Sequence, residues 1–315
     1  MKIGIAGLGK QGRTLIDDFP NNITHCYDPY IKNDLGLIQV DEYTDLLQHV
    51  DAVVIASPHK QHADQTLEAI QANKHVFVEK PIALKIADIK QIELALKEHN
   101  VVVRQNLKYR YLYEKTPALG KVYYVQLSYT RRRGVPLTPF FVMQKFADLG
   151  VLADLGGHLV DMAFYLSGWP DVRTVNSQLL NMSKDLPSPI GTDSGWTDWN
   201  EELDGEIHRL IDVEDRCFIN VSCDGCLMSF DIGWIGHQKE DDKFFLKIVG
   251  GDGTLYAHRM EVIKSDGETE IIGHCDDSEL NKMSIEDFLA EINGEPIKIA
   301  QSIKQWSIVT QVIGL

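Results

Sequence analysis

Three groups of residues have types and spacings that could do chemistry. The first is Gly7-Leu8-Gly9-Lys10-Gln11-Gly12, a G-x-G-x-x-G run that follows an apolar strand pattern and opens a helical one. In that context, Gly7 allows a tight turn, Gly9 lets backbone approach a pyrophosphate, and Gly12 lets the helix pack closely on the strand. The helix N-terminus then points its N–H groups at the phosphates. Asp28 closes the next strand pattern, 21 residues after Gly7. An acid there can accept hydrogen bonds from ribose hydroxyls and would repel a 2′-phosphate, so the run predicts NAD in preference to NADP. Lys10 and Gln11 lie inside the same turn.

The second group is Val78-Glu79-Lys80-Pro81, at the carboxyl end of another strand pattern. Pro81 biases Lys80 away from helical geometry. A lysine at that strand edge, beside a cationic nicotinamide and partly buried, would have a lowered pKa and could exchange a proton with a substrate hydroxyl. From spacing alone, a surface lysine in a turn is the simpler reading. Ser57-Pro58-His59 ends the AVVIA strand and is expected to line the same cleft, because ligands in open α/β sheets bind beyond the carboxyl ends of the strands. His62 follows in the same ASPHKQH stretch and is also assigned to cofactor binding.

The third group is Asp154-Leu155-Gly156-Gly157-His158-Leu159-Val160-Asp161. On a helix, Asp154, His158 and Asp161 fall within about 60° of one another. A solvated face, a metal site and a substrate site with His158 as acid/base and Asp154 binding hydroxyls are all compatible with such a stripe. No further ligand cluster accompanies it, so no metal is expected.

These groups need elements to position them. Strand patterns at Lys2–Ala6, Ile23–Tyr27, Ala52–Ala56, His75–Val78 and Val101–Arg104 alternate with helical ones at Gln11–Phe19, Gln61–Ala72 and Ile86–Glu98. That alternation predicts a doubly wound parallel sheet of Rossmann type. From Leu119-Gly120-Lys121 onward strands dominate: Val122–Tyr129, Val172–Leu180, Glu206–Asp212, Arg216–Ser222, Leu227–Trp234, Phe244–Val249 and Leu255–Tyr256. Helices are expected at Val151–Leu166, Ile285–Asn293 and Ala300–Ile313, and a loop or lid at Leu186–Gly205. The fold class is α/β: residues 1–118 form an NAD-binding Rossmann domain. Residues 119–315 are expected to form an α+β domain with a large, mostly antiparallel sheet.

The net charge of −15 opposes nucleic-acid and anionic-membrane partners. No stretch approaches the roughly 18 apolar residues of a membrane span, and the N-terminus has no signal-peptide pattern. Five cysteines in 315 residues make no disulfide framework, so a cytoplasmic location is expected. Cys223-Asp224-Gly225-Cys226 reads as two cysteines flanking a hairpin turn, since no second pair exists for zinc. Arg131-Arg132-Arg133 could contact a substrate phosphate or carboxylate, though a solvated strand end or a subunit contact is favoured.

The order GLGKQG, ASPHKQH, VEKP resembles the Gfo/Idh/MocA family of oxidoreductases, as do LGKV at Leu119–Val122, the D-x-G-x-H-x-x-D pattern at Asp154, Gly156, His158 and Asp161, and the turn Gly250–Leu255. The resemblance implies that Glu79, Lys80 and Pro81 are at the active site, that the Lys80–Pro81 bond is cis, and that His158 and Asp154 face substrate. Asp161 is then a structural partner. It also places Asn106 and Arg110 as candidate substrate residues. The sequence departs from the family pattern at His59, where Asn is usual, in the shortened glycine run Asp148-Leu149-Gly150, and in the short segment Asn106–Leu119. The implied activity is hydride transfer between a nicotinamide and a secondary hydroxyl of a sugar, sugar derivative or cyclitol, by a homodimer or homotetramer in which residues 119–315 are the substrate-binding and oligomerisation domain. The alternatives are a redox-assisted glycosidase with bound NAD and a non-catalytic NAD-binding sensor.

Overall fold

The computed structural model describes residues 1–19, 23–113, 115–132, 134–136, 138–183, 211–236, 238–239 and 242–314. The expected loop at Leu186–Gly205, most of the strand expected at Glu206–Asp212, and Arg133 lie outside them; Ile211 and Asp212 are not in a strand. The chain divides into two compact units, Met1–Leu112 with Cys275–Gly314, and Tyr113–His274.

In the first unit, strands β1 (Ile3–Ala6), β2 (Ile23–Tyr27), β3 (Ile38–Val40), β4 (Ala52–Ile55), β5 (His75–Val78) and β6 (Val103–Gln105) form one sheet in the order β3-β2-β1-β4-β5-β6. Every pairing is parallel. Helices α1 (Lys10–Asp18), α2 (Tyr43–His49), α3 (His62–Gln71) and α4 (Ile86–Glu98) make the crossovers. This is the doubly wound order in which all strand ends that carry ligand-binding turns share one edge. The short β3 and α2 have no counterpart in the sequence-based expectation.

In the second unit, β7 (Val122–Arg131), β8 (Val172–Leu180), β9 (Arg216–Cys223), β10 (Cys226–Gly233), β11 (Asp242–Gly250), β12 (Gly253–Tyr256), β13 (Glu261–Lys264) and β14 (Thr269–Ile271) pair in the order β14-β13-β12-β11-β7-β10-β9-β8. The β7–β10 pairing is parallel; the others are antiparallel. Burial alternates along β9 and β10: Ile219, Val221, Met228 and Phe230 face a core, while Phe218 and Leu227 lie on the opposite, exposed side. The core side is covered by a helical run that follows the short helices α5 (Pro139–Val142) and α6 (Gln144–Ala147). That run comprises a π-helical turn at Leu152–Gly156 and α7 (Gly157–Leu166), and it packs on β7 and β10.

The membrane expectation needs one correction. The stretch Gln144–Leu166 is long and apolar enough by composition to cross a bilayer. It is not one straight helix, because Asp148 at φ 60° interrupts it, and 78% of its most apolar window is buried inside the protein. Its apolarity serves the packing against the sheet.

The chain then returns to the first unit with α8 (Leu280–Asn293) and α9 (Ile303–Ile313). This differs from the expected division, which placed everything after residue 118 in the second domain. The reason is burial. Ile285 and Phe288 of α8 join Ile3, Ile5, Val54 and Phe77 in the core on one sheet face, where the Phe77 and Phe288 rings are 5.4 Å apart. Trp306 of α9 joins Val53, Ile55, Ile89 and Ile92 on the other. A buried polar knot fixes the return: Arg104 of β6 donates to Glu291 at 2.8 Å, to Asp287 at 3.4 Å and to the Ile299 carbonyl at 2.7 Å. The Tyr111 hydroxyl donates to Asp287 at 2.6 Å.

Candidate functional site

The glycine turn begins where β1 ends. Gly7 has φ 99°, and its N–H donates to the Tyr27 carbonyl at 2.9 Å. A Cβ on Gly7 would stand 2.5 Å from the Ala56 carbonyl oxygen, and one on Gly12 would overlap the Gly7 carbonyl. A Cβ on Gly9 would meet no protein atom within 4 Å. Gly7 and Gly12 are therefore required by the protein's own packing, whereas the space beside Gly9 is left open. Gly9 caps α1 without a side-chain hydrogen bond, which leaves first-turn N–H groups available to an anion. Open space beside uncapped N–H groups fits a dinucleotide pyrophosphate. Lys10 is exposed there.

Asp28 lies beside this turn and helps to build it. Its carboxylate accepts the Leu8 N–H at 2.8 Å through one oxygen, and the Tyr30 and Ile31 N–H groups at 2.8 Å each through the other. A carboxylate oxygen carries more than one acceptor position, so room remains for a ribose hydroxyl.

The glycine turn is joined to the E-K-P segment by side chains. Gln11 donates to Glu79 Oε1 at 2.8 Å, and Asn106 donates to the same oxygen at 2.8 Å. Asn106 also donates to Asn281 at 3.0 Å, which in turn donates to Asp18 at 3.0 Å. Glu79 thus ties the end of β5 to the turn after β1. Lys80 is half-buried, and the Lys80–Pro81 bond is cis. The Ile82 N–H after it is held by Gln105 Oε1 at 3.0 Å.

His62, expected at the cofactor, has both ring nitrogens engaged within the protein. It is 2% exposed, with Nδ1 2.9 Å from the Pro81 carbonyl and Nε2 2.8 Å from the Ser57 carbonyl. It clamps the turn after β4 to the turn after β5, and burial pushes its pKa down. Ser57 donates to Gln65 at 2.6 Å, and His59 is buried in the one-turn 3-10 segment after Pro58. Asn106 and Arg110 also differ from expectation. Asn106 is 1% exposed and belongs to the Glu79 network. Arg110 is buried and reaches the Gln305 side chain at 3.0 Å and the Ala300 carbonyl at 3.3 Å. Both lock the first unit together instead of lining an open surface.

In the second unit, residues 151–164 are buried except for Asp154 and His158, which are half-exposed. Asp161 is buried. The stripe is therefore not a solvated face: an acid and an imidazole share the accessible side, and Asp161 points into the protein. Among the described residues there is no cluster of three or more His, Cys, Asp or Glu that could hold a metal ion. Two partners had no local signal in the sequence. The Trp234 indole, just beyond β10, donates to Asp154 at 2.9 Å. Glu214 Oε1 accepts the Gly150 and Leu152 N–H groups at 2.7 and 3.1 Å, and its carbonyl accepts the Val151 N–H at 3.0 Å. Glu214 thereby holds the start of the π-helical turn, and burial raises its pKa.

Arg131 donates to the Gly134 carbonyl at 3.2 Å at the end of β7, and both Arg131 and Arg132 are half-buried. Cys223 and Cys226 face each other across the β9–β10 hairpin, on either side of an Asp224-Gly225 turn.

Two family models match the chain: an oxidoreductase family with an NAD-binding Rossmann fold over residues 1–107, and the GFO/IDH/MocA C-terminal domain over residues 115–256. The chain belongs to the GFO/IDH/MocA family of oxidoreductases. It is 25% identical to the D-glucoside 3-dehydrogenase of Escherichia coli over 275 residues, which cover 84% of this chain and 75% of that one. It is 24% identical to the glucose-6-phosphate 3-dehydrogenase of Bacillus subtilis over 308 residues, 87% and 85% of the two chains. Its fold matches a levoglucosan dehydrogenase solved with NADH and levoglucosan, at a TM-score of 0.73 and 20% identity, over 98% of this chain and 94% of that one.

Proposed function

We propose that this family member is a dehydrogenase moving hydride between a nicotinamide dinucleotide, NAD in preference to NADP, and a secondary hydroxyl carbon of a sugar, sugar derivative or cyclitol. The observation that carries the reading is the Glu79 Oε1 atom, which accepts from Gln11 of the glycine turn at 2.8 Å and from Asn106 at 2.8 Å, and so ties that turn to the Glu79-Lys80-Pro81 segment. A turn shaped for a pyrophosphate is thus tied to the residue that precedes Lys80.

The residues take these roles. The N–H groups around Gly9 and the start of α1 hold the phosphates, and Asp28 accepts from the ribose hydroxyls. When bound, the nicotinamide supplies the hydride acceptor, or the donor in the reverse direction. Lys80 Nζ takes the hydroxyl proton as the alcohol becomes a ketone and returns it in reverse. His158 serves as the second acid/base group. Asp154, oriented by the Trp234 indole, accepts from neighbouring substrate hydroxyls. The dehydrogenase relatives, which act on glucosides and a sugar phosphate, support the substrate class.

The chain is proposed to work as a homodimer or homotetramer in the cytoplasm. The exposed side of the large sheet carries Phe218 and Leu227, as a self-associating face would, and the five cysteines are all thiols.

Lys80→Ala tests the assignment. Loss of a positioned proton-transfer group costs about 10²–10⁴-fold in rate. The chemical step should fall by that factor while the NAD Kd stays near the wild-type value. Equal loss of both would contradict the role.

A further inference from the structure

The glycine turn is gripped from two sides at a single residue. Asp28 accepts the Leu8 N–H at 2.8 Å, and Arg13 Nε donates to the Leu8 carbonyl at 3.1 Å. The acid at the ribose position and a guanidinium on the first turns of α1 are therefore separated by one residue's backbone. The other arm of that guanidinium, Nη2, pairs with Asp34 Oδ1 at 2.8 Å. The pair is open to solvent, with side-chain exposures of 38% for Arg13 and 66% for Asp34.

The loop carrying Asp34 does not need this pair for its shape. Gln39 accepts the Asn33 N–H at 2.8 Å and donates to the Asp28 and Ile31 carbonyls at 3.2 and 2.9 Å, and the Leu35 N–H donates to Asn33 Oδ1 at 2.9 Å. An exposed ion pair contributes little to stability. What it does change is the charge beside the ribose. A free arginine fork is well suited to a phosphate dianion. With Nη2 on Asp34 and Nε on the Leu8 carbonyl, the same fork is partly occupied and its charge is offset.

We propose that Asp34 is a specificity-determining residue. By occupying Arg13 it withholds a guanidinium that would otherwise receive a 2′-phosphate, and with Asp28 it sets the preference for NAD over NADP. This rests on reading the glycine turn as a dinucleotide site.

The test is binding, measured by calorimetry on the full chain with NAD, NADP and adenosine 2′,5′-bisphosphate. Asp34→Asn keeps the size of an exposed side chain and should melt as wild type does. It should tighten NADP and the bisphosphate by up to about fivefold, the most that releasing an exposed ion pair can return, while NAD stays within about twofold. Adding Arg13→Ala to Asp34→Asn should abolish the gain, and retained NAD affinity in that double variant reports an intact turn. An NADP-to-NAD ratio unchanged in Asp34→Asn, or a gain that survives Arg13→Ala, overturns the proposal alone. Failure of the wild-type chain to bind either dinucleotide overturns the dinucleotide reading and this proposal with it.

Discussion

The two glycines that end the G-x-G-x-x-G run should fail in different ways when given a methyl group. Gly9 has φ −66° and ψ −177°, a conformation open to any residue, and its added Cβ meets no protein atom within 4 Å. Gly9→Ala therefore costs the fold at most about 1 kcal/mol, from the poorer N-cap, partly offset by a stiffer unfolded chain. The methyl instead fills the space where a pyrophosphate must approach. Losing about two charge-assisted N–H contacts at roughly 1.5–3 kcal/mol each predicts at least a hundredfold rise in the NAD Kd. In Gly12→Ala the Cβ overlaps the Gly7 carbonyl, a backbone atom that no rotamer change can move. That variant should lose about 1–3 kcal/mol of stability, as overpacked sites do. Thermal unfolding and calorimetric NAD titration of the two proteins separate the cases. A Gly9→Ala protein that binds NAD as wild type does, or that is destabilised as much as Gly12→Ala, would refute the argument.

Further predictions concern buried polar groups. Glu214→Ala leaves two backbone donors buried without their acceptor and should cost about 1–3 kcal/mol in urea unfolding, whereas Glu214→Gln keeps an acceptor oxygen. Burial raises the Glu214 pKa above its ordinary 4.5, so Glu214 takes up a proton more readily in the folded chain than in the unfolded one. Its contribution is full below 4.5 and is lost as pH rises through the folded pKa, so Glu214→Gln should flatten that part of the stability profile. An unchanged profile would contradict this. Arg104→Ala leaves Asp287 buried without its guanidinium and should cost about 3–5 kcal/mol, measured by denaturant midpoint, while a loss below about 1 kcal/mol would show that the knot around Arg104 is not needed.

Much of this fold was legible because its signals are local. The glycine run, the uniformly apolar AVVIA strand and the Lys-Pro step each state their own geometry, and the structure places Gly7, Gly9 and Gly12 as that pattern requires. β3 escaped because it is short and mostly exposed, so it lacks the apolar run of a central strand. The return of α8 and α9 escaped because an amphipathic helix shows that one face is buried, but not against which sheet. The contacts that decide it join residues 183 and 187 positions apart, from Arg104 to Asp287 and Glu291. Asn106 and Arg110 were placed by position in a pattern; polar side chains at such positions serve internal networks as readily as ligands. His62 shows the same thing at closer range, since a histidine between two ligand-binding turns can act by holding their carbonyls.

A dehydrogenase of this class must turn over a nicotinamide on a polyhydroxy substrate. The most direct measurement follows absorbance of the reduced nicotinamide while the purified chain is mixed with NAD or NADP and a panel of sugars, sugar phosphates, cyclitols and glycosides. Steady growth is expected with NAD and at least one secondary-alcohol substrate, and slower growth with NADP. A chain that binds NAD yet produces no reduced cofactor with any of them would contradict that expectation, and free sugar released from a glycoside in the same wells would mark redox-assisted cleavage instead.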